Sequence, residues 1–288
     1  MLFSRPGRRS RSVAGAELMI KSKHILVAAL LTAAVIPSLS VAQDAAVSAD
    51  SNERIIDVPL TGSERQRVLY AAPARPKATI VMLPGGAGKV GLRRDGEVRH
   101  GDNFVIRTRA LWIQRGYAVL IPDTVDHANL RGLRSSPGYA ALVLDLVRVA
   151  QQQAPGPVFL LGTSQGSIAA MNGAAHAPPG AIAGVVLTES VSRMGGSGET
   201  VFSAAPGDVR VPALIVANQD DRCNVAPPED APRIAAAMTN SASVRVLSVA
   251  GGVQQSRKTC GSLSPHGYFG IESEVISQID SWMQQRSQ

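Results

Sequence analysis

Six short runs, "ATIVMLP", "YAVLIPD", "PVFLLG", "AGVVLTE", "PALIVAN" and "VRVLSVA", are almost continuous in Val, Ile and Leu. They are strand-length, and they show little alternation between apolar and polar residues. That pattern belongs to strands whose two faces are both covered, as in a parallel sheet packed between helices. Two earlier runs, "RIIDVPL" and "QRVLYAA", bring the expected strands to eight. Helix-forming segments fall between them at residues 104–114, 139–153, 165–175 and 232–238, and residues 271–285 close the chain. This rhythm predicts an α/β, doubly wound domain with a mostly parallel central sheet, helices on both faces and right-handed crossovers. No repeat or linker interrupts it. Residues 190–210, "SVSRMGGSGETVFSAAPGDVR", are too few for a separate cap domain, so only a minimal lid is expected.

Charge and leader limit the partners. The chain has 288 residues, 45% of them hydrophobic, and a formal charge of +7. Six basic residues (Arg5, Arg8, Arg9, Arg11, Lys21 and Lys23) lie within residues 1–42 against Glu17 alone, so the remainder is close to neutral. The charge therefore gives little support to a nucleic-acid partner. Lys21 and Lys23 precede "ILVAALLTAAVI", an apolar run shorter than a membrane span needs, and Ser40 and Ala42 occupy small-residue positions before a plausible cut. Residues 1–42 thus read as a signal peptide, 43–53 as a flexible mature N-terminus and 54–288 as the folded domain. The stretch before Met19 is long for a charged leader, which makes Met19 an alternative start to Met1. The expected location is periplasmic or secreted, with no stable membrane insertion after cleavage. The two cysteines, Cys223 and Cys260, read as a disulfide in an exported chain. Their spacing fits neither a redox CxxC pair nor a zinc cluster. No cofactor motif is present, and no metal is expected.

Gly162-Thr163-Ser164-Gln165-Gly166 matches G-x-S-x-G, with a buried-type strand leading in and an alanine-rich helix leading out. This is the strand-turn-helix setting of a nucleophile elbow, in which small flanking residues let strand and helix approach and the serine stands clear of the sheet. A nucleophilic serine needs a base, and the base needs a group that orients it. His24 lies in the leader, His176 ends a helix, and His100 and His127 lie in loops that follow no late strand. His266, in "SPHGYFG" between the last strand and the final helix, is the candidate base. The candidate acids are Asp220 and Asp221 after "ALIVAN", with Asp221 the better placed when counted from the strand end. The order Ser164, Asp221, His266 differs from the orders in chymotrypsin and subtilisin.

"VMLPGGAGKVG" ends a strand in a glycine-rich loop able to turn backbone N–H groups toward a developing negative charge. Gly86, from this loop, and Gln165, just after the serine, are the expected oxyanion donors. A disulfide between Cys223 and Cys260 would tie the acid loop to the base loop. Asp123, at a strand end, is expected to organise the loop beside the site. Trp112 and Trp282 read as core, residues 91–102 as a solvated loop, and residues 195–200 as either a mobile lid or a plain connection.

Together these motifs resemble the α/β-hydrolase superfamily over almost all of residues 54–285. "LPGGAG" is similar to its oxyanion loop, "GTSQG" to its elbow, "NQDDRC" to its acid turn and "SPHGYFG" to its histidine loop. "GDNFVIRTRALWIQRGYAVLIPD", with the cysteine-bearing acid loop, resembles a group of dienelactone-hydrolase-like proteins. In dienelactone hydrolase itself the nucleophile is a cysteine, whereas this chain has a serine. Pro84 stands where many lipases and esterases have histidine, and the large cap of many relatives is missing. The resemblance implies hydrolysis of an acyl bond in a small-molecule substrate. A carboxylic ester comes first, with peptide and thioester behind it. A non-catalytic binding protein on the same scaffold is the alternative.

Overall fold

The computed structural model describes residues 53–61 and 64–286. The proposed leader and all of the proposed flexible N-terminus but Glu53 lie outside them. Eight strands form one sheet: β1 (Arg54–Pro59), β2 (Arg65–Ala71), β3 (Ala78–Leu83), β4 (Tyr117–Pro122), β5 (Val158–Thr163), β6 (Gly184–Thr188), β7 (Ala213–Asn218) and β8 (Val244–Val249). Their spatial order is β1-β2-β4-β3-β5-β6-β7-β8. β1, β2 and β4 pair antiparallel, and every pairing from β4 through β8 is parallel.

The missing alternation in the central strands has a direct cause. Successive side chains point to opposite faces of a strand, and here both faces are packed. Val81 and Leu83 of β3 join one apolar cluster, while Ile80 and Met82 join another. The first cluster takes residues from α3 (Pro137–Gln153), α4 (Gln165–His176) and α5 (Ala231–Ala237). The second takes residues from α1 (Phe104–Arg107), α2 (Arg109–Gln114) and α6 (Glu272–Gln284). Trp112 and Trp282 are both core residues of that second face. β8 departs from the expectation of a strand buried on both faces: it closes the sheet edge, and Arg245 and Ser248 are exposed on it.

The helix expected over residues 104–114 is broken at Thr108. The Thr108 hydroxyl donates to Phe104 O at 2.6 Å, a backbone contact by which threonine competes with regular helix. α3 begins cleanly, with the Ser136 side chain accepting from Tyr139 N–H and Pro137 in the first helical turn. The 189–212 connection holds two single turns of 3₁₀ helix, Val201–Ser203 and Pro206–Asp208, so the lid is minimal. Residues 195–200 are anchored. Glu199, 2% exposed, accepts from Gly132 N–H, Ser135 N–H and the Ser135 hydroxyl at 2.9–3.0 Å. Among the described residues no helix is long and apolar enough to cross a membrane.

Candidate active site

The turn between β5 and α4 holds Ser164 at φ 52°, ψ −122°. A non-glycine residue rarely takes a positive φ, and doing so costs about 1–3 kcal/mol. The two flanking glycines make the turn geometrically feasible. A Cβ on Gly162 would lie 2.1 Å from Gly166 O, and one on Gly166 would lie 2.0 Å from Leu83 O. Both distances are below any van der Waals contact, so the motif's two glycines are steric requirements of the turn. Gly166→Ala is therefore expected to destabilise the protein by about 3 kcal/mol or more and to displace the end of β3. The check is a fall in the urea midpoint together with loss of active-site labelling.

Ser164 Oγ is 2.9 Å from His266 Nε2, and His266 Nδ1 is 2.7 Å from Asp221 Oδ2. The three residues expected to act together are thus brought together from three separate loops. His266 and Asp221 are each 3% exposed. The Asp221 carboxylate places the ring proton on Nδ1, which leaves Nε2 to accept the Ser164 hydroxyl proton. Asp221 N–H donates to Asn218 O at 3.0 Å, a tight turn that folds its side chain back over the sheet edge. Its Oδ1 accepts from Cys223 N–H at 2.7 Å. Asp220 faces away, with its Oδ2 accepting from Gly251 N–H at 2.7 Å.

His266 sits in a single 3₁₀ turn, Pro265–Gly267, whose preceding Ser264 side chain accepts from His266 N–H. Asn218 holds that turn from below, its Nδ2 donating to Gly251 O and to Pro265 O at 2.9 Å each. Arg107 holds it from the side, donating to Gly267 O and pairing with Glu272 at 2.8 Å. Cys223 and Cys260 are joined in a disulfide between the acid loop and the base loop.

At its other edge the site is closed by the glycine loop. Gly86 has φ 59°, and a Cβ on Gly85 would lie 3.1 Å from Ser164 Cβ. Neither Gly86 N–H nor Gln165 N–H donates to an acceptor among the described residues. The loop is fixed from beneath by Arg134, 1% exposed, which donates from Nη2 to Pro84 O at 3.2 Å. Leu130 N–H also donates to Ala87 O. Asp123 organises the continuation of the loop, accepting from Val90, Leu92 and Thr124 N–H at 2.7–2.9 Å.

A cavity of about 90 Å³ stands over Ser164, lined by Gly85, Gly86, Asn103, Phe104, Cys260 and Ser262 among others. A larger hollow, about 470 Å³, is lined by Arg54, Tyr70, Pro76 and Pro155 and contains none of the candidate residues. The smaller one contains Ser164 and His266.

Solved structures of the same architecture give this arrangement its place. Dienelactone hydrolase from Anabaena variabilis superimposes with a TM-score of 0.57 at 15% identity, covering 83% of this chain and 100% of the other. An esterase from Pyrococcus furiosus gives a TM-score of 0.60 at 11% identity, covering 85% and 94%. The chain has the α/β-hydrolase fold. An esterase from Butyrivibrio proteoclasticus, solved with ferulic acid bound, shares the same hydrolase fold with a TM-score of 0.57 at 13% identity, covering 80% and 98%. No family model and no curated protein matches the sequence.

On this hydrolase fold, several residues of the site carried no motif signal in the sequence. Asn103 caps α1, accepting from Val105 N–H through Oδ1, and its Nδ2 is 3.5 Å from where a Gly85 Cβ would stand. Glu189, directly after β6, is 1% exposed and lies against Asp221. It ends the apolar run "AGVVLTE", and an acid closing such a run is the only trace of it in the sequence. Glu189, Asp221 and His266 offer ligand atoms within 4.8 Å of one another. An ion held there would compete directly with the bond between His266 and Asp221.

Proposed function

We propose that the chain is an exported, serine-dependent acyl hydrolase that cleaves small carboxylic esters. The observation that carries this reading is the relay of 2.9 Å from Ser164 Oγ to His266 Nε2 and 2.7 Å from His266 Nδ1 to Asp221 Oδ2. It starts from a serine held on a strained turn. In this reading Ser164 attacks the ester carbonyl while His266 takes its proton, and Asp221 stabilises the imidazolium that forms. Gly86 and Gln165 N–H groups receive the oxyanion. His266 then protonates the leaving alcohol, and water attacks the acyl-enzyme by the same route in reverse. The positive end of α4 faces Ser164 and favours the developing negative charge.

The cavity argues for a short acyl group. Its volume of about 90 Å³ is well below the roughly 300 Å³ of pockets that take drug-sized ligands. A water molecule takes roughly 30 Å³, so about 90 Å³ is room for about three water-sized groups, which accommodates an acetyl unit. The esterase and dienelactone hydrolase neighbours support an acyl substrate of small size.

The experiment is turnover of p-nitrophenyl acetate, butyrate and octanoate by the leaderless protein, beside fluorophosphonate labelling. Acetate is expected to be cleaved at least about tenfold faster than octanoate. A rate that rises with chain length would refute the short-acyl assignment and leave the hydrolase reading standing. Neither turnover nor labelling, in folded protein with its disulfide intact, would refute the hydrolase reading and favour a binding protein. Export is tested by sequencing the mature N-terminus, with cleavage expected after Ala42.

A further inference from the structure

The acyl-enzyme route gives no task to the buried acid that lies beside its relay, Glu189. Glu189 is 1% exposed and has φ 44°, a left-handed conformation that a glutamate holds only where its surroundings impose it. Its N–H donates to Val216 O at 3.2 Å, and Asn218 N–H donates to its Oε1 at 2.9 Å. The buried Oε2 is left without a hydrogen-bond partner of good geometry among the described residues, and the Tyr268 hydroxyl, which lies beside the carboxyl, donates to Val216 O at 3.0 Å. A carboxyl oxygen of Glu189, one of Asp221 and a ring nitrogen of His266 lie within 4.8 Å of one another.

The titratable groups that face Glu189 are Asp221 from the loop after β7, and His266 and Tyr268 from the turn before α6. None is a lysine or an arginine. Two neighbouring buried carboxyl groups with no cation between them cannot both carry charge. Asp221 is the one that receives Cys223 N–H and His266 Nδ1–H. The proton therefore belongs on Glu189. An oxygen carrying a proton needs an acceptor, and Asp221 supplies it.

We propose that Glu189 is a positioning residue: as a neutral carboxylic acid it donates a hydrogen bond from Oε2 to the Asp221 carboxylate and holds it in the rotamer that faces His266. The proposal rests on the acyl-hydrolase reading of Ser164, His266 and Asp221. Burial, and then the Asp221 charge, push the Glu189 carboxyl well above the usual glutamate value. A neutral Glu189 leaves Asp221 as the one negative group beside His266 among the described residues. An ionised one would add a second negative charge and raise the basicity of the imidazole.

Glutamine separates these states, because its amide is neutral, nearly isosteric and able to donate at the same position. The readout is the rate of Ser164 labelling by a fluorophosphonate as a function of pH, which requires no knowledge of the natural substrate. Glu189→Gln is expected to label within about twofold of the wild type, with the acidic limb of the profile unmoved. Glu189→Leu, which offers no donor, is expected to label about a hundredfold more slowly, the scale of a small misplacement in a reacting site. Thermal stability reads the proton independently of activity. Above the ordinary glutamate value of 4.5 the unfolded chain ionises at this position while the folded chain does not, so wild-type stability falls as pH rises. Glu189→Gln removes that loss, and its advantage in Tm over the wild type is expected to grow from about pH 4.5 upward. A shift of the acidic limb to lower pH by about one unit in Glu189→Gln, or a Tm difference flat with pH, would show Glu189 ionised and overturn the proposal. Wild-type labelling by Glu189→Leu would overturn it as well. If that variant does not fold, the glutamine profile and its Tm decide. A wild type that never labels would refute the hydrolase reading itself, and the Tm arm would still report the Glu189 proton.

Discussion

Ser164→Ala is expected to lower ester turnover by on the order of a millionfold and to abolish fluorophosphonate labelling, with the fold intact. The structure explains why such a change can be silent for stability. Ser164 Oγ makes its bond to His266 Nε2, while the backbone of the turn is anchored separately, Ser164 N–H donating to Thr188 O and Ser167 N–H to Ser164 O. Alanine keeps those anchors and the Cβ. The same logic separates the two adjacent acids. Asp221→Asn, which leaves His266 without the carboxylate that orders its tautomer, is expected to reduce turnover by about 10⁴-fold. Asp220→Asn alters only a loop contact to Gly251 N–H and should leave turnover within about twofold. Steady-state kinetics with p-nitrophenyl acetate on the three variants, each checked by circular dichroism, read all three effects. Comparable losses in Asp220→Asn and Asp221→Asn would contradict the assignment of the acid.

Loss of the disulfide is expected to produce the second large effect, on stability and turnover together. Cys223 and Cys260 are 37 residues apart in sequence, and closing a loop of that length is worth about 4 kcal/mol in the chain-entropy account. Cys223→Ser with Cys260→Ser should therefore lower Tm by roughly 10 °C for a chain of this size. Turnover should fall too, because the bridge lies where the relay is assembled. Cys223 N–H donates to Asp221 Oδ1, and Cys260 lines the cavity over Ser164. A lower Tm with unchanged kcat would make the bridge a stabilising crosslink alone. The contacts that hold the His266 turn without the bridge, Asn218 Nδ2 to Pro265 O from the end of β7 and Arg107 to Gly267 O from α1, would then suffice for alignment.

Much of this fold was legible in the sequence because its signals are local. Each of the eight expected strands is present, and the near-continuous apolar runs reflect a sheet covered on two faces. The elbow was legible for the same reason: the close approach of strand and helix demands glycine at positions 162 and 166, which leaves a five-residue trace. Where long-range contacts decided the outcome, local pattern was blind. The 195–200 segment has the composition of a mobile loop, yet Glu199 is fixed by donors more than sixty residues away in sequence. The exposed residues of β8 follow from its place at the sheet edge, which its own composition does not announce.

The sequence by itself determined the α/β class, the strand-turn-helix that presents Ser164, and the chain order of serine, acid and histidine, because these are written in spacings of a few residues. Only the tertiary structure decided which aspartate meets His266, how small the cavity over Ser164 is, and that Glu189 lies buried against Asp221. Those three facts depend on distances between the loops that follow β3, β5, β6, β7 and β8. Such distances are set by the packing of the sheet and its helices, and no short stretch of the chain encodes them.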